Sequence, residues 1–190
     1  MKQSKRNDVV VMQTEQANEQ QYLTFQLGQE MFAVGILHIR EIIEYGNLTT
    51  VPLMPDFVSG VINLRGSVVP VIDLSIRFSR GQSQLSRRTC IVILEVDSAV
   101  SCAADSGSEV SALQEVGIIV DAVSEVLEIA PKDIEPAPTF GTRLRAEFIA
   151  GMGKVDGAFV ILLNVQKALN VEEMAKLASV VEPLEQSHYG

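Results

Sequence analysis

The chain has 190 residues, 47% of them hydrophobic and 21% charged, enough to bury a substantial core without a metal or disulfide staple. A formal net charge of −9 excludes the nucleic-acid backbone as a natural partner, because gripping phosphates takes clustered Lys and Arg. No apolar run reaches the roughly 18 residues that span a bilayer. The polar start, Met1 to Gln21, also lacks the apolar block of a signal peptide. The expectation is a cytosolic protein with no direct membrane insertion.

Residues 1–20 are polar and are expected to be a disordered tail. Leu23, Phe25 and Leu27 then alternate with Tyr22, Thr24 and Gln26, the period of two that marks a half-buried strand. Gly28-Gln29-Glu30 reads as a tight turn into a second strand, Met31-Phe32-Ala33-Val34. Asn63-Leu64-Arg65-Gly66 is expected to turn the chain through a longer hairpin loop, and Asp73 to cap a short helix over Leu74–Phe78. Ile91–Val96 and Val116–Val120 are further strands. The Ser-, Ala- and acid-rich segment from Asp97 to Gln114 between them reads as a long mobile loop. Asp156-Gly157, set between apolar runs, predicts a type I′ hairpin turn, which needs positive φ at both central residues. Asn164 is placed to cap a second short helix, Val165–Leu169. Asn170 with Glu173 resembles a capping box opening a C-terminal helix over about 171–179, with a flexible tail at 183–190.

These elements form a repeat. Phe57, Gly60, Gly66, Asp73 and Leu74 reappear as Phe148, Gly151, Gly157, Asn164 and Val165, each displaced by the same 91 residues. Upstream, Ile39-Arg40-Glu41-Ile42-Ile43-Glu44 is echoed by Val123-Ser124-Glu125-Val126-Leu127-Glu128. Two copies are too few for a solenoid. Many short strands with regular turns predict a mainly all-β fold of two small barrels in tandem, the first over about 22–78 and the second over about 89–169.

The chemistry of an enzyme is hard to assemble from this chain. Cys90 and Cys102 make no Cys-x-x-Cys, and His38 and His188 no metal-ligand spacing, so no zinc site, other metal or cofactor is expected. Cys90 reads as a small buried apolar residue. Gly151-Met152-Gly153-Lys154 lacks the spacing of a phosphate-binding loop and is followed by Val155 in place of Ser or Thr. Glu41 and Glu44 point to opposite faces of a regular strand and cannot form a dyad. Asp73 and Glu125 keep a small acid-based enzyme open as an alternative, weakened because Asp73 becomes Asn164 in the second copy: a cap survives that change and a catalytic carboxylate does not.

Val51-Pro52-x-x-Pro55-x-Phe57-x-x-Gly60-Val61-x-Asn63-Leu64-Arg65-Gly66, followed by Val69-Pro70-Val71-Ile72-Asp73-Leu74, closely resembles the signature of the CheW family. The likeness continues through Val120-Asp121-x-Val123-Ser124-x-Val126, Pro136-Ala137-Pro138 and Gly151-x-Gly153, and covers roughly residues 20–178. It implies two interlocked SH3-like barrels acting as a non-catalytic adaptor, a monomer when free. In the family, such a protein couples the cytoplasmic tips of chemoreceptors to the regulatory domain of the histidine kinase CheA in membrane-bound arrays. A related alternative is a coupler for pilus motility or another chemosensory-like pathway. The resemblance places Ile39, Glu41, Gly60, Arg65, Val123 and Val126 at receptor-facing positions. Read from the residues alone, Arg65 has the alternative of a solvated residue before a turn Gly. Gly60 can serve close backbone approach, and the three aliphatics can be core. The segment 97–114 exceeds the tight turn common in the family, and His38 stands where the family often has Lys or another polar residue.

Overall fold

The computed structural model describes residues 20–100, 110–138, 144–170 and 173. Eleven strands and two short helices follow in chain order: β1 (Gln20–Leu27), β2 (Glu30–Gly35), β3 (Ile39–Glu44), β4 (Val58–Leu64), β5 (Ser67–Asp73), α1 (Leu74–Arg77), β6 (Cys90–Val100), β7 (Val110–Val120), β8 (Ala122–Ile129), β9 (Ile134–Glu135), β10 (Ile149–Val155), β11 (Ala158–Leu163) and α2 (Val165–Ala168). The fold is mainly β, as the alternating pattern predicts. The expected N-terminal tail, C-terminal helix and C-terminal tail lie outside the described residues, apart from Glu173.

The strands form two sheets, but these do not divide the chain where the repeat suggests. One sheet has the order β8-β1-β2-β11-β10-β9 and the other β3-β6-β7-β5-β4. The leading hairpin of the first half, β1–β2, joins the strands of the second half, pairing with β8 and, in parallel, with β11. The leading hairpin of the second half, β6–β7, likewise joins β3 and, in parallel, β5. The two halves exchange hairpins, so a boundary near residue 80 cuts through both sheets. The expected barrels at 22–78 and 89–169 are thereby corrected. Sequence similarity marks which segments are alike, whereas pairing is set by which apolar edges meet.

Each sheet curls on itself around a small core. In the five-stranded sheet Val69, Val71, Ile91, Ile93 and Ile119 are buried together, with Ile43 of β3 and Ile62 and Leu64 of β4 against them. In the six-stranded sheet the buried set is only Ala33, Ile129, Val160 and Leu162. The opposite faces of both sheets meet in a far larger core, which takes in Phe25, Phe32, Phe57, Phe78, Val92, Leu94, Ile118, Phe148, Ile161 and Leu163. Rings stack through it: Phe25 on Phe32 at 5.9 Å between centroids, Phe32 on Phe78 at 5.8 Å, and Phe78 against Phe148 at 5.8 Å. Aromatic pairs in such offset arrangements contribute about 0.5–1.5 kcal/mol each beyond their area.

The turns and caps follow the repeat closely. Asp156-Gly157 has φ values of 49° and 79°, as a type I′ turn requires. Arg65-Gly66 has 50° and 86°, and Leu64 pairs directly with Ser67, so this is the same two-residue turn and not a longer loop. Asp73 accepts from the N–H groups of Ser75 (2.9 Å) and Ile76 (3.4 Å), and Asn164 from that of Lys167 (3.2 Å). Both helices end one residue before the predicted limit. The N–H of Glu173 donates to Asn170 Oδ1 at 3.2 Å, the bond expected of that cap.

The expectation for Asp97–Gln114 is corrected where the segment is described, residues 101–109 lying outside the described residues. The β6–β7 ladder continues outward through Asp97↔Leu113 to Val100↔Val110, making a two-stranded ribbon where a mobile loop is predicted. Small and acidic residues carry a weak strand signal, but here the hairpin register is already fixed by the apolar run below. Cys90 is half-buried, its thiol donating to the Arg88 carbonyl at 3.3 Å; Cys102 lies outside the described residues.

Two outcomes follow. Phe78→Ala, at the middle of the ring stack, should cost about 3–5 kcal/mol in urea unfolding, whereas the exposed Phe159→Ser should stay within about 0.5 kcal/mol. Fragments 1–83 and 84–190 should each lack cooperative thermal unfolding alone and regain it when mixed, because neither contains a complete sheet. Independent folding of either fragment would contradict the hairpin exchange.

Candidate functional site

Ile39 and Glu41 lie on β3 and Val123 and Val126 on β8, each the edge strand of its sheet. Both strands carry a bulge at these residues. On β3, Ile39 faces Leu94 and Glu41 faces Ile93, so Arg40 is the extra residue. On β8, Val126 faces Leu23 and Val123 faces Phe25, so the bulge takes up Ser124 and Glu125. Edge bulges bend a strand and re-aim its side chains. Each bulge is held by polar contacts. Arg40 Nε reaches Glu95 at 3.0 Å and Glu115 at 3.6 Å. The buried Thr24 hydroxyl donates to the Glu125 carbonyl at 2.8 Å and accepts from the Glu125 N–H at 3.1 Å. Thr24 reads in the sequence as the polar partner in an alternating strand, so its stapling role is invisible there.

The consequence for the aliphatics is graded. Ile39 and Val123, one from each sheet, are half-buried and rest on the same large core. Val126 is exposed on β8, as is its repeat counterpart Ile42 on β3. Two of the three aliphatics therefore rest on the shared core from different sheets, and the third is exposed on β8.

Arg65 sits on the β4–β5 turn with its side chain 75% exposed, and its guanidinium hydrogen-bonds and ion-pairs with Glu41. The pair ties the turn to the opposite edge of the curled sheet. An exposed pair of this kind contributes little stability, about 0–1 kcal/mol, but it fixes where a planar, five-donor group stands at the surface. It occurs once. The counterparts of Arg65 and Glu41 in the second copy are Asp156 and Glu125, two like charges.

Gly60 is buried and offers no side chain. A Cβ built on it would stand 2.6 Å from the Thr49 carbonyl oxygen and 3.1 Å from Leu48 Cβ, where residue 49 bridges to Val61. At its twin, Gly151, a Cβ would stand 2.6 Å from Ile134 Cγ2 and 3.1 Å from the Glu135 carbonyl oxygen. Both glycines let a crossing segment lie directly on the strand, which is the structural alternative the sequence leaves open.

A further exposed group is one the sequence reading passes over. The one-turn 3-10 segment Ile36–His38 joins β2 to β3 and carries Leu37, 93% exposed. With Gly35, His38, Gln20, Gln21 and Glu128 it lines a shallow cavity of about 430 Å³ beside the β8 edge. No periodic pattern marks Leu37, since it belongs to neither strand.

The acidic alternative finds no support in the placement of Asp73. Its carboxylate is buried and engaged by Ser75, Ile76, the Ser83 N–H (3.0 Å) and the Ser83 hydroxyl (2.7 Å), as befits a cap that also tethers the following segment. Among the described residues no three His, Cys, Asp or Glu side chains gather to hold a metal, and no helix is long and apolar enough to cross a membrane.

The profile of the CheW-like domain matches residues 21–173. The chain belongs to the CheW family. The chemotaxis protein CheW of Klebsiella aerogenes is 35% identical over 163 residues, covering 86% of this chain and 89% of that protein. CheW of Treponema pallidum is 29% identical over 169 residues, covering 86% and 91%. The crystal structure of a CheW scaffolding protein from Thermoanaerobacter tengcongensis superposes with a TM-score of 0.65 at 30% identity, covering 85% of this chain and 91% of that one. Two curled SH3-like sheets joined through one core are thus the CheW arrangement.

The close approach at Gly60 has a measurable cost. Gly60→Ala must displace the Thr49 backbone and should lose about 1–3 kcal/mol in urea unfolding. Gly151→Ala, whose nearest obstacle is a movable Ile134 methyl, should lose less. Equal, negligible losses would mean the crossing segment yields freely.

Proposed function

We propose that this protein is a non-catalytic adaptor that couples chemoreceptor tips to the regulatory domain of CheA, in the cytoplasm and recruited to receptor arrays. The observation that carries the reading is the convergence of Ile39 and Val123 from two different sheets onto one core, flanked by the Glu41–Arg65 pair. A seam with half-open aliphatics and a charged rim suits the apolar face of a helical hairpin, which anchors through residues at helical spacing. Ile39 and Val123 would contact the receptor helices, Val126 and Leu37 would extend the apolar rim, and Arg65 would reach a carboxylate or helix-terminal carbonyls. Gly60 would act indirectly by holding the Thr49 crossing and, with it, the β4 strand that leads to Arg65.

Because the strands on the two sides of the seam belong to different sheets, a partner seated there is sensitive to their relative position. The output is a coupling free energy between receptor and kinase faces, in which no covalent bond is made or broken. Receptor binding in the micromolar range, about 8 kcal/mol, is sufficient for an adaptor that acts in a multivalent assembly.

Arg65→Glu tests the reading directly. It sets a second carboxylate beside Glu41 while altering a largely exposed side chain. The dissociation constant for a receptor-tip fragment should rise about tenfold or more, by titration calorimetry, as a lost charge-assisted contact implies. Thermal stability should stay within about 0.5 kcal/mol, and binding to the CheA regulatory domain should persist. Unchanged receptor affinity would remove Arg65 from the contact, and failure of the unmodified protein to bind either partner would remove the function.

A further inference from the structure

A nearly buried arginine reaches into the large core between the sheets, and its surroundings repeat the internal symmetry of the chain. Phe57 and Phe148 are counterparts, 91 residues apart. Each accepts an equivalent backbone bond, Asp73 N–H to the Phe57 carbonyl and Asn164 N–H to the Phe148 carbonyl, both at 2.8 Å. Between the two rings lies the guanidinium of Arg77, with Cζ 4.8 Å from the centroid of Phe57 and 4.8 Å from that of Phe148. The counterpart of Arg77 in the second copy is Ala168. Its carbonyl accepts from Arg77 Nε at 3.1 Å, and Glu173 stands 3.4 Å from Arg77 Nη2. The Arg77 side chain is only 6% exposed.

The pseudo-twofold relation offers two equivalent places for a long side chain, and the gap between the rings admits one. Arg fills it from one side, and Ala leaves the room on the other. A planar cation is suited to this slot because both of its faces can lie on aromatic rings while its edges donate in plane. The contacts also reach across the molecule: Phe57 precedes β4 and Arg77 ends the helix after β5, both in the five-stranded sheet. Phe148 precedes β10 and Ala168 ends the helix after β11, both in the six-stranded sheet.

We infer that Arg77 is a positioning residue that sets the relative orientation of the two sheets, and through it the spacing of Ile39, Glu41 and Arg65 from Val123 and Val126. The link to partner binding rests on the proposed function; the geometric part stands without it. Glu173 completes the clamp from the C-terminal segment, with Arg145 as a second cation at 3.9 Å from the other carboxylate oxygen and 5.0 Å from the Phe148 centroid.

The test uses the full chain with Cys90 and Cys102 replaced by serine and spin labels at Ser67→Cys and Ala158→Cys. These are exposed counterpart positions at the starts of β5 and β11, one in each sheet. Double electron–electron resonance on the free protein should give one narrow distance distribution. Arg77→Met, which keeps an apolar stem and removes the fork, should shift or broaden it while the far-ultraviolet circular dichroism is retained. Arg77→Lys should recover it in part. In the binding arm, Arg77→Met should weaken receptor-tip affinity about tenfold, a coupling of ordinary size. An unchanged distribution in folded Arg77→Met overturns the inference. Should Arg77→Met not fold, Glu173→Gln decides: a shift in the distribution supports the clamp, and none overturns it. A shifted distribution in a protein that binds no receptor tip would leave the clamp standing and remove the coupling function.

Discussion

The seam between the two sheets is the constraint on which the remaining structure depends. Neither curled sheet has an interior large enough to stand alone: one buries five aliphatic residues and the other four. The chain has only seven phenylalanines, and five of them lie in the core the sheets share. Apolar burial scales with area removed from water, so most of the driving force for folding is spent on joining the sheets. The barrels are better described as two faces of one core than as two domains. Under the proposed function, a partner seated between them would touch something both rigid and divisible.

Much of this could be read from the chain, and what could not has identifiable causes. The alternation around Phe25, the glycine turn at Asp156 and the paired caps at Asp73 and Asn164 are local signals, carried by residues whose backbone needs are specific. Hairpin exchange is nonlocal, and a repeat in sequence is silent on whether a hairpin closes on its own half or the other. The ribbon beyond Asp97 was hidden because its register is inherited from the apolar strands beneath it. At the candidate site, Arg65 and Glu41 could be named from the family signature, but their ion pair needs the curl that brings a turn to the far edge. Thr24 reads only as one polar member of an alternating strand, with nothing to mark it as a staple, and Leu37 is a lone apolar residue between two strands.

The differences between the copies are more informative than the likenesses. Where the halves agree, at Phe57 and Phe148 or Gly60 and Gly151, the residues serve packing and close approach. Where they diverge, at Arg65 and Asp156 or Arg77 and Ala168, a near-symmetric body acquires two distinguishable ends. A coupler that must hold unlike neighbours needs such a distinction, and a handful of substitutions on a duplicated frame supplies it.

The exchange of hairpins also governs how the molecule can be made. During synthesis β1 and β2 leave the ribosome first, yet their flanking neighbours, β8 and β11, are encoded about a hundred residues or more downstream. The opening hairpin must wait, its apolar face unsatisfied, while β3, β4 and β5 emerge and wait in turn for β6 and β7. The five-stranded sheet cannot close until β7 has been released and the six-stranded sheet until β11 has, which makes maturation a late event. The nascent protein is therefore a natural client for chaperones that shelter exposed strand edges.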